Sequence, residues 1–220
     1  MAKTGARRAR GATAAAAAGA ELNRRILSAA RRLFVNRGFA ATSMDEIAAA
    51  VGASKQAVYR RYASKDELFA AMLSGLANAT LEASSDAEGV SADPLAELRQ
   101  TLMAALELLA WPQTVALYRV LIAESRRFPR LIDRAAAAAF ERFDSPCRRL
   151  LVAARQSGQL RDDQPVEDMF HVLIGSLTGW FVRDRLLGRA TLATAEDRRR
   201  YFEFAWALFI EGAARRPPAA

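Results

Sequence analysis

Only one cysteine, Cys147, and one histidine, His171, occur among 220 residues. An internal disulfide is therefore excluded, as is any Cys/His metal cluster with two or more such ligands. A histidine-based catalytic triad has little to draw on. Glycine and proline are sparse, at 12 and 7 residues, too few for a collagenous or low-complexity chain. No window approaches the ~18 consecutive apolar residues of a membrane-spanning helix. Residues 1–20 lack the large apolar residues of a secretory signal, and the Arg7-Arg8 pair lacks the hydrophobic stretch of a twin-arginine signal. The expected place is the cytoplasm, with no membrane partner. What is plentiful is apolar side chain, 52% against 25% charged, which predicts a folded protein with a substantial core.

The net charge of +8 is unevenly placed. Residues 1–64 hold 12 Lys and Arg against 3 Asp and Glu, whereas residues 65–220 hold 20 against 21. The whole excess lies in the first third, which predicts a basic module for a polyanion joined to a nearly neutral module with another task. A basic tail alone does not explain it, because residues 21–64 still carry 8 basic against 3 acidic side chains.

From Glu21 onward the apolar period is helical and no alternating run reads as a strand, so the expected class is all-α. Leu22, Ile26, Ala29, Ala30, Leu33 and Phe34 share one face of a first helix that stops at Arg37-Gly38. Ser43 and Glu46 form a capping box for a short second helix ending near Val51. Gly52-Ala53 turns the chain into another short helix capped by Ser54, and a Ser64-Lys65-Asp66-Glu67 box opens a long one. Further helices are expected over about Asp93–Ala110, Gln113–Arg127, Arg130–Ser157, Pro165–Leu187 and Ala195–Ala214, with a kink at Pro146. The predicted organisation is a flexible basic and Ala-rich arm (1–20), an N-terminal three-helix domain (21–64), a larger helical domain (65–214) and a tail (215–220).

Residues 43–62 have the spacing of a helix-turn-helix: small Ala48 where two helices cross, Gly52 in the turn, and Val58 as the aliphatic plug of the second helix. Around Val58 lie Lys55, Gln56, Tyr59, Arg60 and Arg61, a polar and basic surface. The stretches Arg37-Gly38-Phe39, Thr42-Ser43-Met44-Asp45-Glu46-Ile47-Ala48, Val51-Gly52-Ala53-Ser54-Lys55, Val58-Tyr59-Arg60-Arg61-Tyr62 and Ser64-Lys65-Asp66-Glu67-Leu68 resemble the TetR family of bacterial transcriptional regulators over about 50 residues. The remainder resembles the family's divergent ligand-binding domain more loosely, in the manner of AcrR-like members, most visibly at Leu117-Tyr118-Arg119 to Glu124. Gln56 stands where glycine is frequent in the family, and Tyr62 where phenylalanine is usual.

Contact chemistry suggests the roles, and the resemblance implies which helix enters the groove. Gln56 suits an adenine edge, Lys55 guanine or phosphate, and Ala57 a thymine methyl. Thr42, Ser43, Tyr59 and Lys65 suit phosphate, with Ser54 and Arg60 as further DNA-facing candidates. The plainer reading of Ser43, Ser54 and Ser64 is capping, and of one of Arg60 and Arg61 a solvated face. Arg7, Arg8 and Arg10 are candidates for nonspecific phosphate or minor-groove contact.

The Pro165–Leu187 segment is apolar nearly all round, and the last helix also carries more apolar surface than one core face needs. Phe170, Leu173, Gly175, Gly179, Phe202, Trp206 and Phe209 are therefore expected at a homodimer interface, which the resemblance also implies. A dimer predicts a near-palindromic operator in double-stranded DNA. Met103, Leu106, Trp111, Leu117, Phe140, Phe143 and Trp180 are candidate walls of a pocket for a small, mostly apolar effector. The resemblance implies that such an effector moves the helix beginning at Lys65 and releases DNA. Acidic pairs such as Asp162-Asp163 and Glu167-Asp168 raise an enzymatic alternative, but beside a helix start they complement its dipole. No catalytic residue, metal or cofactor is expected. A helical sensor without DNA binding is the third possibility, and Lys55, Tyr59 and Lys65 speak against it.

Overall fold

The computed structural model describes residues 2–85 and 93–214, so the tail and most of the expected break at residues 84–91 lie outside the described residues. Among those described, nine helices follow one another: α1 (Ala2–Arg37), α2 (Met44–Ala50), α3 (Lys55–Tyr59), α4 (Lys65–Ser85), α5 (Pro94–Ala110), α6 (Pro112–Ser125), α7 (Pro129–Gln156), α8 (Val166–Leu186) and α9 (Ala195–Ala213). No described segment forms a sheet, and one isolated bridge joins Leu160 to Ala214. The chain is all-α, as its periodicity predicts.

Local chemistry accounts for most boundaries. Proline opens α5, α6 and α7, where its missing amide is not needed. Asp93 caps α5 by accepting from the Leu95 and Ala96 amides, and Thr194 caps α9 through the Asp197 amide. Gly38, Gly158 and Gly188 take positive φ just past the ends of α1, α7 and α8. α7 continues across Pro146, where a kink is expected from sequence; the Arg142 carbonyl forfeits its helical donor there. Residues 2–20, expected as a flexible arm, continue α1 instead. Alanine has the highest helix propensity of any residue, so the run preceding Glu21 propagates the helix that follows it. The side chains of Arg7, Arg8 and Arg10 lie outside the described ones.

The packing does not divide at the charge boundary near Ser64. One core joins Ile26, Phe34, Ile47, Ala48 and Val58 of α1–α3 to Leu68 and Phe69 of α4, Leu117 and Leu121 of α6, and Leu131 and Ile132 of α7. A second gathers Leu98 and Leu106 of α5, Leu151 of α7, Phe181 of α8 and Phe202 of α9. The helix-turn-helix thus shares one continuous core with α4, α6 and the first half of α7, and α1 carries the packing against α4 and α6. Cys147 lies in the second core, fully buried, and burial pushes its thiol up to about 12. A thiol-specific chromogenic reagent at mildly alkaline pH is expected to leave the native protein unmodified and to label one thiol in denaturant.

No described helix is long and apolar enough to cross a membrane.

Candidate nucleic-acid interface and internal cavity

The α2–α3 unit is built by its own short-range hydrogen bonds. Ser43 Oγ accepts from the Glu46 amide at 3.2 Å while the Glu46 carboxylate accepts from the Ser43 amide at 2.8 Å, closing the expected box. The Ser43 amide, and after it the Ser43 hydroxyl at 3.0 Å, donate to the Glu46 carboxylate and hold it below the ordinary carboxylate range. In the turn, the Ala48 carbonyl accepts from the Val51 and Ala53 amides at 3.3 and 3.1 Å, and Gly52 takes a φ of +62°. Ala48 and Val58 are buried where the helices cross. Arg25 donates to the Val51 carbonyl, tying the end of α2 to α1.

This arrangement leaves Lys55, Gln56, Tyr59 and Arg60 exposed on one short helix. The Gln56, Tyr59 and Arg60 side chains have no hydrogen-bond partner among the described residues, so their polar groups face solvent ready for an outside one. Lys55 pairs with Asp45 of α2, and that carboxylate raises its pKa. Both partners are well exposed, so the pair is weak and a phosphate or base edge competes for the ammonium. Ser54 caps α3 through the Ala57 amide at 3.2 Å, and Ala57 is half-buried. Of the two arginines, Arg61 is the one engaged internally, donating to the Ala57 carbonyl at 3.1 Å.

Two expected phosphate contacts are corrected. Thr42 is buried, 2% exposed, and its hydroxyl donates to the Gly38 carbonyl at 2.9 Å, so it closes the α1–α2 loop rather than facing a phosphate. Lys65 Nζ donates to the carbonyls of Phe39, Ala40 and Thr42 at 2.7, 3.3 and 2.7 Å and lies 4.4 Å from the centre of the Phe39 ring. Its three hydrogens are thereby used. Burial lowers its pKa, with Asp66 and Glu124 opposing that shift. Ser64 behaves as half a box: its hydroxyl caps the Glu67 amide, but Glu67 reaches the Ala63 amide.

The same loop is tied to the larger module. Glu124 Oε1, at the end of α6, accepts from the Phe39 amide at 2.9 Å, and a Cβ on Gly38, whose φ is +82°, would come within 3.2 Å of that oxygen. Phe39 also stacks edge-on with Phe69 and Phe128, its ring centre 5.2 and 5.3 Å from theirs. Sequence marks Glu124 only as part of a resemblance; its role depends on a partner 85 residues away.

Between α4, α5, α6, α7 and α8 lies an apolar cavity of 390 Å³. Leu117, Phe140 and Phe143 line it. Four other expected wall residues do not: Leu106 is core, Met103 packs beside that core, Trp111 is 49% exposed at the α5–α6 corner, and Trp180 lies on the surface against Tyr201. Leu106 and Met103 find their apolar contacts in the second core, whereas Trp111 and Trp180 stay largely at the surface. The polar wall residues Thr80, Thr114, Tyr118, Asp144 and Thr178 escape the sequence reasoning; the readable signal is Asp144 one turn beyond Phe140 on an otherwise apolar face. Leu73, Leu117, Leu121 and Ala139 belong both to the cavity wall and to the core seating α1–α3.

Not all of the residues expected at a dimer interface reach the protomer's surface. Phe170, Leu173, Phe202 and Phe209 fill the protomer's own core. Trp206 is half-buried over Phe202 and Phe209, while Gly175 and Gly179 are exposed, Gly179 also edging the cavity. The apolar surface left on α8 and α9 consists of Val172, Trp180, Phe204 and Leu208, with Val172 and Phe204 65% and 62% exposed. A Cβ added at Gly175 or Gly179 would meet nothing within 4 Å.

Comparison with known proteins decides the family. Residues 26–72 match the model for bacterial regulatory proteins of the tetR family, and residues 96–211 match that for the C-terminal domain of AefR-like transcriptional repressors. The chain belongs to the TetR family. The two models describe bacterial regulatory proteins and transcriptional repressors. It is 48% identical over 48 residues to the transcriptional activator FasR of Mycolicibacterium smegmatis, covering 22% of each chain. With the regulator AcrR of Shigella flexneri it shares 35% identity over 91 residues, 40% of this chain and 41% of that one. The chain thus spans less than half the length of either of these relatives. The solved structure of the flavonoid-responsive regulator FrrA superposes with a TM-score of 0.67 at 26% identity, covering 89% of this chain and 98% of that one.

Proposed function

We propose that this TetR-family protein is a homodimeric cytoplasmic repressor, not an enzyme, in which α3 reads a near-palindromic operator and a small molecule in the cavity releases it. Residues 21–64 are the DNA-reading part and residues 65–214 the effector-binding and pairing part. The observation that carries the reading is the sharing of Leu73, Leu117, Leu121 and Ala139 between the cavity wall and the core beneath the helix-turn-helix. A close-packed interior transmits displacement, so a ligand that repositions α4 or α6 shifts the seat of α3. The Glu124 bond to the Phe39 amide and the Phe39–Phe128 contact make the same connection through the loop.

Three observations support the finer points. Exposed Gln56, Tyr59 and Arg60 supply a bidentate base reader, a hydroxyl and a cation on one helix. The unpaired apolar face of Val172, Trp180, Phe204 and Leu208 suits an isologous partner, and a dimer presents α3 twice. Repression is favoured over activation because the AefR-like repressor model covers residues 96–211, whereas the likeness to the activator FasR covers 48 residues. The response of FrrA to a flavonoid supports a small-molecule effector.

The test is a footprint of the purified protein on DNA upstream of its own gene, at physiological salt with excess competitor. Protection of a near-palindrome is the expected result. Diffuse binding that dissolves in moderate salt would overturn the operator reading in favour of a nonspecific anchor.

A further inference from the structure

The polar groups of the cavity wall do not suit a hydrocarbon ligand. Asp144 stands on the wall among Tyr118, Phe140 and Phe143. Charge around it does not balance, because Glu141, Asp144 and Glu167 share a single guanidinium, that of Arg148. Arg148 donates from Nε and Nη2 to Glu167 at 2.8 and 2.9 Å, and it reaches Asp144 only at 3.7 Å, beyond hydrogen-bond range. His171, the other basic group nearby, is directed to Glu167 at 3.4 Å. The Asp144 carboxylate makes no hydrogen bond among the described residues. Desolvation raises its pKa, against the opposing charge of Arg148 and more weakly of His171, with Glu141 and Glu167 adding to the rise. A second wall group is independently unsatisfied: Thr114, 1% exposed, has no hydrogen-bond partner for Oγ1.

Taking the cavity as the effector site, a reading on which the inference depends, we propose that it accepts an organic cation. The ligand is a quaternary or protonated amine on an aromatic body with a hydrogen-bonding oxygen, its charge against Asp144 and its oxygen answering Thr114. A cation restores the missing charge among the aromatic side chains that line the cavity. An anion would add a further negative charge beside three carboxylates. A neutral hydrocarbon would leave Asp144 with only its shared, 3.7 Å pairing to Arg148 and Thr114 with no partner, and would desolvate both further. The volume of 390 Å³ admits a compact ring system with a branched ammonium head.

The experiment uses two molecules of one shape: the (4-acetylbenzyl)trimethylammonium ion and its neutral carbon isostere, 4-neopentylacetophenone. Titration calorimetry on the full chain without DNA is expected to show the cation binding about tenfold tighter or more. Asp144→Asn should remove most of that advantage, and continued binding of the neutral compound shows that the variant's cavity is intact. Thr114→Val, which keeps the side-chain shape, should weaken both compounds by about threefold. Equal affinity for the pair in the unaltered protein, or no binding of the cation, would overturn the proposal. Operator release is measured separately. A cation that binds but leaves the footprint unchanged upholds the cation site and counts against the release mechanism.

Discussion

Placing glutamate at both Phe204 and Leu208 is expected to give a folded monomer whose affinity for the operator falls by about 10²–10⁴-fold. Both side chains are more than half exposed, and they lie one turn apart on α9, so the substitutions leave the protomer's core intact. Four carboxylates brought together across a two-fold axis would repel and would forfeit the apolar area that joins the protomers. The loss in affinity follows from linkage: one protomer holds one recognition helix, and the second half-site then no longer binds intramolecularly. Light scattering after gel filtration reads the mass, and fluorescence anisotropy on the footprinted site reads the affinity at fixed salt. A variant that remains a dimer would place the interface elsewhere. One that becomes monomeric yet keeps its affinity would remove the palindrome from the proposal.

Lys65→Met is expected to weaken DNA binding without changing its dependence on salt. A lysine that neutralises a phosphate contributes about one unit to the slope of log affinity against log salt. Lys65 instead spends its three hydrogens on the Phe39, Ala40 and Thr42 carbonyls, and methionine preserves the stem while removing those donors. The loop joining α1 to α2 should loosen, at a cost of about 2 kcal/mol in urea unfolding. Arg60→Met provides the contrast, because that guanidinium is exposed and has no partner among the described residues; it should lower the slope and leave stability unchanged. A lower slope for Lys65→Met, with unchanged stability, would return Lys65 to the phosphate contacts.

The DNA-reading unit is largely legible in sequence because its determinants are local. The Ser43–Glu46 box, the Gly52 turn, the Ser54 cap and the buried Val58 act within a few residues of one another, and each is readable as a pattern. The same reasoning predicts exposure of Gln56 and Tyr59, opposite a small apolar face. It misassigns Lys65 and Thr42 because a hydroxyl or an ammonium near a helix start suits a phosphate and a carbonyl equally well. Which one it meets depends on where a distant turn of chain falls. In Lys65 the competing carbonyls come from residues more than 20 positions earlier.

In the larger module the limit is of another kind. Apolar period identifies α5–α9 to within one or two residues at each end, but not which apolar residues face core, cavity or partner. Phe170 and Val172 are two positions apart on one helix, yet the first is 2% exposed and the second 65%. Likewise Phe140 lines the cavity while Trp180, equally large and apolar, lies on the surface. Sequence alone determined an all-α chain, the positions of α2–α9, the caps of α2 and α3, a basic helix-turn-helix and the exclusion of an internal disulfide, all consequences of short-range periodicity and composition. Tertiary structure decided the core that unit shares with α4, α6 and α7, the capture of Lys65 by the loop, the cavity with Asp144 on its wall, and the apolar face left open on α8 and α9. Those features arise from how helices cross, and side chains identical in hydrophobicity are sorted between inside and outside only once the crossings are set.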